Sequence, residues 1–596
     1  MMAAVTALGQ QAAQRGAGAA PRPPARVSRS AASAALVVLL LPVMAAIMLR
    51  RHWWMITSDS VAQQSIVRTW FALGHDQTYL PPDTWLLKFP VYGVVEALPI
   101  APSARLIVES LALAVVTVAL LAWACWSLAG QAGLADSRRP LDAVLPFAWL
   151  GTLAGGVGSY LVIMPNSRNI ELGLGLVVIA VAGQWLERDP RPVSVPTRHD
   201  GRSGDAVHGG AWPRGAARWG VYGGGAALLL AVVWVDDPYV EALVGLPLAL
   251  AALAWFARHR DHGGRDPRLL ALAAVLLASL ALVPLLRGAL AAFGVRIVPD
   301  ATAPTFDLAT VLGHVPILGP SVQAQLGLSE EGAAAAVAHV LAVVLLLAGL
   351  VAAGAVTARG WRRGRLAVTF LGVHWLVVVV GVLVNRTIYD FHAGRYLVLA
   401  FVDLAACLAL APGLLRQQAR MPPDVVMTFH RVAPTATARV TTALLVAAVA
   451  VDLVSAVHDT PPDSPQVHTE QVEQQRVLAL LTTATGDAPA EAFGPFWTAD
   501  LYTHLSSGRV QVSDVVCAAG RIRHRHWITD TARERPRAAL ALVIVPVSSP
   551  ELRGCTVASI SAQLGGASQQ LRTAGGTTVL VFGHDVAALI PVAVDA

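Results

Sequence analysis

The chain is built from long apolar runs separated by short polar segments. Runs of about 17 to 25 residues are the length at which a helix crosses the hydrocarbon core of a bilayer. They fall near 33–49, 106–126, 144–163, 172–186, 219–235, 238–257, 269–287, 333–357, 366–385, 397–415 and 440–457. The pair at 219–257 is tight, with only Asp236-Asp237-Pro238 between its members. The pattern predicts an all-α polytopic membrane bundle of about eleven transmembrane helices.

Loop charge gives this bundle a direction. Arg138 and Arg139 follow the second run, Arg188, Arg191, Arg198, Arg202, Arg214 and Arg218 the fourth, and Arg258, Arg260, Arg265 and Arg268 the sixth. Arg359, Arg362, Arg363 and Arg365 follow the eighth, and Arg416, Arg420, Arg431 and Arg439 the tenth. All five loops fall on the side of the N-terminal tail, which carries Arg22, Arg26 and Arg29. The positive-inside rule therefore predicts a plasma-membrane protein with a cytoplasmic N-terminus and an extracytoplasmic C-terminus. Three regions are expected: a disordered tail at 1–30, a transmembrane domain at 31–457 with a large first outer loop at 50–105, and a C-terminal domain at 458–596. The first run is too long for a signal-peptide core and lacks a clear cleavage site, so it is read as an anchor. In the last region, the short β-branched runs 540–547 and 578–582 and the helical pattern at 469–483 predict a small α/β extracytoplasmic module.

Composition agrees. The chain has 596 residues, is 55% hydrophobic and only 14% charged, where a soluble domain carries about 25% charged residues; its mean hydropathy is +0.57. The net charge of +6 raises nucleic-acid binding, but the arginines sit in loops between apolar runs and form no basic face, so membrane lipids are the expected partner and nucleic acid is not. Of 44 basic residues only Lys88 is a lysine, a bias that goes with a GC-rich, actinobacterial-type genome.

The candidate chemistry gathers on the outer side, in five places. Asp59, in Thr57-Ser58-Asp59-Ser60 just past the first run, can act as a general base on a hydroxyl or as a ligand to a divalent metal; equally, this stretch can cap an interfacial helix at 60–73. Residues 79–92 are rich in aromatics and proline and hold Lys88 and Tyr92. There the ammonium can hold a phosphate as a point charge or snorkel from an aromatic belt. Arg168, Asn169 and Glu171 border the fourth run and either line a cavity or form an ion pair between Arg168 and Glu171. Asp236 and Asp237 can bind a metal or sugar hydroxyls, or form a solvated turn. Arg386, Asp390, His392, Arg395 and Tyr396 lie within eleven residues and can clamp a diphosphate or phosphodiester, unless Asp390 only pairs with its arginines. His374, Asp403 and Asp452 lie within apolar runs and can serve a proton path. Cys517 and Cys555 fall in the outer domain, where a disulfide is expected and two unpaired thiols are the alternative; Cys125 and Cys407 are expected to be apolar filling. The sequence carries no Walker loop, dinucleotide fingerprint, HExxH or zinc-type cysteine pair.

Asp59, the stretch Leu87-Lys88-Phe89-Pro90-Val91-Tyr92, the segment Ser167-Arg168-Asn169-Ile170-Glu171 and the segment Phe496-Trp497-Thr498-Ala499-Asp500-Leu501-Tyr502-Thr503-His504-Leu505-Ser506 together resemble the GT-C glycosyltransferases. The resemblance implies a GT-C-like membrane fold and transfer of a sugar from a polyprenyl-phosphate donor to a glycan, lipid or protein acceptor of the cell envelope. It implies Asp59 as catalytic base and a substrate site drawn from the other four places. Many such enzymes carry a second acidic motif in the loop after the third span. Here that loop holds only Glu171 and the Asp pair comes one outer loop later, so a divalent cation, Mg or Mn, is left open as cofactor. A lipid or polysaccharide transporter or flippase is the alternative class, though no internal repeat is evident and the polar groups gather at one face. A non-catalytic envelope scaffold is the third.

Overall fold

The computed structural model describes residues 58–100, 102–134, 169–187, 215–258, 267–298, 307–326, 333–385, 396–418, 465–486, 488–535 and 540–592, together with the single positions 443 and 447. The expected tail at 1–30 and the expected spans 33–49, 144–163 and 440–457 lie outside these residues, as does Asp452.

The described chain begins with α1 (Ser58–Leu73), β1 (Thr78–Leu80), a 3-10 turn at Leu86–Lys88 and α2 (Phe89–Glu96). Eight apolar helices coincide with eight of the expected spans. They are α3 (Pro102–Gln131), α4 (Asn169–Glu187), α5 (Gly215–Asp236), α6 (Pro238–Arg258), α7 (Pro267–Ala292), α9 (Ala333–Arg362), α10 (Leu366–Leu383) and α11 (Val398–Gln418). Among them α3, α6, α7, α9 and α10 hold segments long and apolar enough to cross a membrane, and α4, α5 and α11 hold shorter apolar segments. Leu229, Leu285 and Val351 are 71%, 68% and 75% exposed on these helices. A soluble bundle would bury such side chains; hydrocarbon has no reason to. The chain is therefore read as a multi-pass membrane protein in contact with lipid.

Arginines hold one end of the bundle together. Arg359 Nε and Arg363 Nη1 donate to the Ala132 carbonyl just past α3 at 3.0 and 2.8 Å. Arg268 Nη1 donates to the Leu186 carbonyl near the end of α4 at 3.0 Å, and Arg258 lies 4.5 Å from the Trp361 ring. These are last-turn carbonyls that a helix leaves unpaired. Among the described residues, arginines that follow the sixth and eighth runs thus meet at one end of the bundle.

The loop 288–331 holds more structure than its polarity predicts. α7 runs on to Ala292 and is followed by β2 (Val295–Ile297) and then α8 (Leu308–Gln325). Gly294 makes the turn with φ +81, and a Cβ there would lie 2.7 Å from the Asp76 carbonyl, so only glycine fits.

The C-terminal region is small and sheet-rich. It contains α12 (Pro465–Thr485), β3 (Ala490–Gly494), α13 (Phe496–Leu505), β4 (Val510–Ala518), β5 (Arg521–His524), β6 (Thr529–Asp530), β7 (Ala541–Val545), α14 (Val557–Gln563), β8 (Gln569–Arg572) and β9 (Thr578–Phe582). Six strands form one sheet in the order β5-β4-β3-β7-β9-β8, parallel through β4-β3-β7 and antiparallel elsewhere. The two runs expected as strands are the neighbours β7 and β9, both fully buried. A disulfide joins Cys517 to Cys555, whose Cα atoms are 5.8 Å apart. Cys125 and Cys407 are buried and unbonded.

A second sheet ties three distant segments together. β1 pairs in parallel with β2 and antiparallel with β6. Asp530 Oδ2 accepts bonds from Trp70 Nε1 at 2.9 Å and Thr78 Oγ1 at 2.7 Å, and lies 3.1 Å from His75 Nδ1. Arg533 pairs with Asp500 at 2.7 Å and donates through Nε to Thr69 Oγ1 at 2.8 Å, almost wholly out of solvent. The first loop, the end of α7 and the C-terminal region therefore share one face of the molecule, opposite the arginine-rich end.

Candidate functional site

The first loop folds back onto the end of α5. Pro81 and Pro82 keep the chain out of helix, and Trp85 turns it with φ 49 and ψ 32, a left-handed conformation that bulky residues rarely adopt. The reversal aims three donors at the C-terminal end of α5. Thr84 Oγ1 donates to the Val235 carbonyl at 3.1 Å, Trp85 N to the Asp236 carbonyl at 3.2 Å, and Leu87 N to Asp236 Oδ1 at 2.8 Å. The first two bonds fill carbonyls that the helix terminus cannot pair itself, and the third holds the Asp236 carboxylate.

Lys88 follows, at the end of the 3-10 turn. Its ammonium lies 3.2 Å from Glu171 Oε2 and 4.7 Å from the centre of the Trp85 ring. Lys88, Glu171, Asp236 and Asp237 are all fully buried. Asp237 accepts from Tyr239 N at 2.9 Å and caps the start of α6. The Tyr239 hydroxyl donates to the Tyr396 carbonyl, and the two rings are 5.9 Å apart. Tyr92, one turn beyond Lys88, is 1% exposed. Burial first, and then the carboxylates of Glu109, Glu171 and Asp236, push its phenol well above the ordinary range, so it is a hydrogen-bond donor at any physiological pH.

No protein-family model and no curated protein matches this chain.

Three of the five places picked from the sequence meet here, contributing Lys88 and Tyr92, Glu171, and Asp236 with Asp237; Tyr396 of a fourth touches the rim. Several expectations are corrected. Lys88 neither snorkels nor offers an open ammonium to a phosphate, because it is enclosed against Glu171. Glu171 has Lys88 as an ion-pair partner, and the alternative pairing with Arg168 falls outside the described residues. The Asp pair is no solvated turn: both side chains are engaged by backbone N–H groups inside the protein. His374 and Asp403 pair with each other at 2.8 Å, and His374 Nε2 lies 2.6 Å from the Leu243 carbonyl, which belongs to a π-helical turn in α6. With both residues sealed from solvent, they form a closed contact and not an open proton path.

Arg168, Arg386, Asp390, His392 and Arg395 lie outside the described residues. Asp59 and Asn169 fall in the first turns of α1 and α4, and their side chains are outside the description. Among the described residues no group of three or more His, Cys, Asp or Glu is arranged to hold a metal ion.

Sequence reasoning missed a second polar group beside this one. Arg68 Nε and Arg105 Nη1 both donate to Glu96 Oε1, at 3.1 and 2.6 Å. Glu109 and His504, at 2% and 3% exposed, are buried within electrostatic range of these arginines. Glu109 carried a readable signal, an acid inside an otherwise apolar run. His504 stood out only as part of the segment Phe496–Ser506, and Arg68 carried no signal, since its neighbours come from distant parts of the chain.

Proposed function

We propose that the chain is a GT-C-like glycosyltransferase of the plasma membrane. In this reading it spans the bilayer eleven times, with the N-terminus in the cytoplasm and the C-terminal region outside. It moves a sugar from a polyprenyl-phosphate donor to a cell-envelope acceptor at the outer face. The observation that supports the reading is the convergence of Lys88, Tyr92, Glu171 and Asp236 into one buried node under the first loop.

The node pins the loop and α2 to the bundle, and α1, which begins at Ser58 and carries Asp59, packs its Ala62, Ile66 and Val67 into the same core as Phe89 and Tyr92. Position matters here because a polyprenyl donor cannot leave the bilayer, and its phosphate must be met at the membrane surface. The acceptor hydroxyl oxygen attacks the anomeric carbon of the donor sugar. The bond from that carbon to the phosphate oxygen breaks, the polyprenyl phosphate leaves with the electron pair, and the acceptor proton passes to the Asp59 carboxylate. The disulfide of the C-terminal region suits an oxidising compartment.

The test is transfer by the purified full-length protein from polyprenyl-phosphate mannose, glucose and arabinose. Asp59→Asn keeps the size and the capping capacity of the side chain and removes its charge. It should fold, bind donor and lose about 100-fold or more in transfer. A variant that transfers normally removes Asp59 as the base. A wild type that transfers none of the three sugars overturns the enzyme reading and leaves a scaffold, which the complete burial of the Lys88–Glu171 pair would suit.

A further inference from the structure

At the arginine-rich end of the bundle an apolar groove of about 460 Å³ runs between α9 and α10. Leu350, Gly354, Trp361 and Arg362 line it from α9, and Trp375 and Leu376 from α10. It lies on the lipid-facing surface, where Trp361 and Leu376 are 46% and 47% exposed. The two helices close on each other at Gly360 and Gly372. A Cβ on Gly360 would lie 2.5 Å from Thr369 N, and one on Gly372 2.7 Å from the Ala353 carbonyl. Gly354 is different. A Cβ there would meet nothing within 4 Å, so the missing side chain leaves the groove open and serves no close contact.

The groove is one leaflet deep. Trp361 and Leu350 are eleven residues apart on α9, which is about 16 Å of helix rise. The hydrocarbon core of a bilayer is about 30 Å thick, so this is about half of it. The mouth lies at the level of the headgroups, where tryptophan gathers. Trp361 is braced there by Arg258, 4.5 Å from its ring, and by the Trp255 ring at 5.1 Å.

The mouth is positive. Arg359, Arg362, Arg363 and Arg365 fall within seven residues, and neither α9 nor α10 contains an acidic residue. Arg359 and Arg363 donate to the Ala132 carbonyl, a neutral acceptor. Arg362 is exposed, and among the described residues it has no hydrogen-bond or ion-pair partner.

An apolar slot of leaflet depth beneath a positive rim suits an amphiphile with a negative head. A zwitterionic lipid would bring an ammonium of its own to the arginines. A second copy docked through the same face would bring its arginines to the same level, like charge against like. Free phosphate would leave the slot empty.

We propose that this groove binds an acyl chain of an anionic phospholipid whose phosphate is held at the mouth by Arg362. The planar guanidinium matches a phosphate with two parallel N–H donors, and basic pockets between membrane helices recognise such headgroups. The site lies at the end of the bundle opposite the first loop, and it does not depend on the glycosyltransferase reading.

The experiment is native mass spectrometry of the full-length protein in detergent. Dioleoylphosphatidylglycerol and dioleoylphosphatidylcholine, which differ only in the headgroup, are titrated separately, with glycerol 3-phosphate as competitor. Phosphatidylglycerol should bind at least tenfold more tightly, and glycerol 3-phosphate should not displace it. Gly354→Phe fills the groove where there is free space and removes a glycine from a helix. It should fold like the wild type and weaken phosphatidylglycerol at least tenfold. Arg362→Gln should weaken phosphatidylglycerol about fivefold, the worth of one arginine at a membrane surface, and leave phosphatidylcholine unchanged. Equal affinity of the wild type for the two lipids would mean that ordinary bilayer lipid covers the groove, and overturns the proposal. So does undiminished phosphatidylglycerol binding by either variant, displacement by glycerol 3-phosphate, or a wild-type dimer that Gly354→Phe dissociates.

Discussion

Lys88 Nζ and Glu171 Oε2 stand 3.2 Å apart with both side chains fully enclosed, although one residue lies in the first loop and the other begins a helix more than eighty positions away. A buried ion pair contributes little over an apolar pair of the same volume, but one partner left alone is an uncompensated buried charge.

Lys88→Met should therefore destabilise the protein by about 3–5 kcal/mol, and Lys88→Met combined with Glu171→Leu should recover most of that loss. Thermal unfolding of the detergent-solubilised protein measures both. A single variant as stable as the wild type would mean that the pair is not buried.

Arg533 and Asp500 should behave the same way at the seam between the first loop and the C-terminal region. Arg533 is almost wholly buried and bonds to both Asp500 and Thr69, so it connects the C-terminal region to α1. Arg533→Met should loosen this connection and expose the α1 face to protease at a concentration that leaves the wild type intact. Asp500→Asn keeps an acceptor and should loosen it less. Equal protease resistance in all three proteins would contradict the connection.

The disulfide closes a loop with a sequence separation of 38 residues. Cys517→Ser should destabilise the C-terminal region by roughly 2–4 kcal/mol through the freedom it restores to the unfolded chain. Thiol labelling of the unfolded, non-reduced wild type should miss both Cys517 and Cys555; labelling of either would refute the bond.

His504 gives the seam a pH dependence. Burial, and then Arg68 and Arg105, push its imidazole down to about 3 from an ordinary value of 6.5. Between these values the unfolded chain binds a proton that the folded chain refuses. The contribution is fully present above pH 6.5 and is lost as pH falls from 6.5 towards about 3. Asp514 works in the opposite sense: burial raises its carboxyl, so its contribution is present at low pH and is lost as pH rises through the folded value. His504→Gln should flatten the fall of melting temperature with acid below pH 6.5. An unchanged acid profile would show that His504 is protonated in the folded protein.

The sequence by itself determined the membrane class, the positions of the apolar helices and the alternation of arginine along the chain. Each is a local property. Run length is compared with bilayer thickness, and loop charge is counted between neighbouring spans. It also marked β7 and β9, because a continuous β-branched run has few other uses, and it marked Lys88, Glu171 and the Asp pair as unusual for their surroundings. It did not reveal that these residues meet. The tertiary structure decided that when the left-handed turn at Trp85 folded the first loop onto the end of α5. The Asp pair allowed a solvated turn as one of its two readings because two adjacent carboxylates are hydrophilic; inside the protein Asp236 is held by the Leu87 N–H of the first loop and Asp237 by the Tyr239 N–H of its own turn. The three-stranded sheet of β1, β2 and β6 was invisible for the same reason. Strands of two or three residues have no periodicity to read, and their hydrogen bonds exist only once the first loop, the end of α7 and the C-terminal region have been brought together.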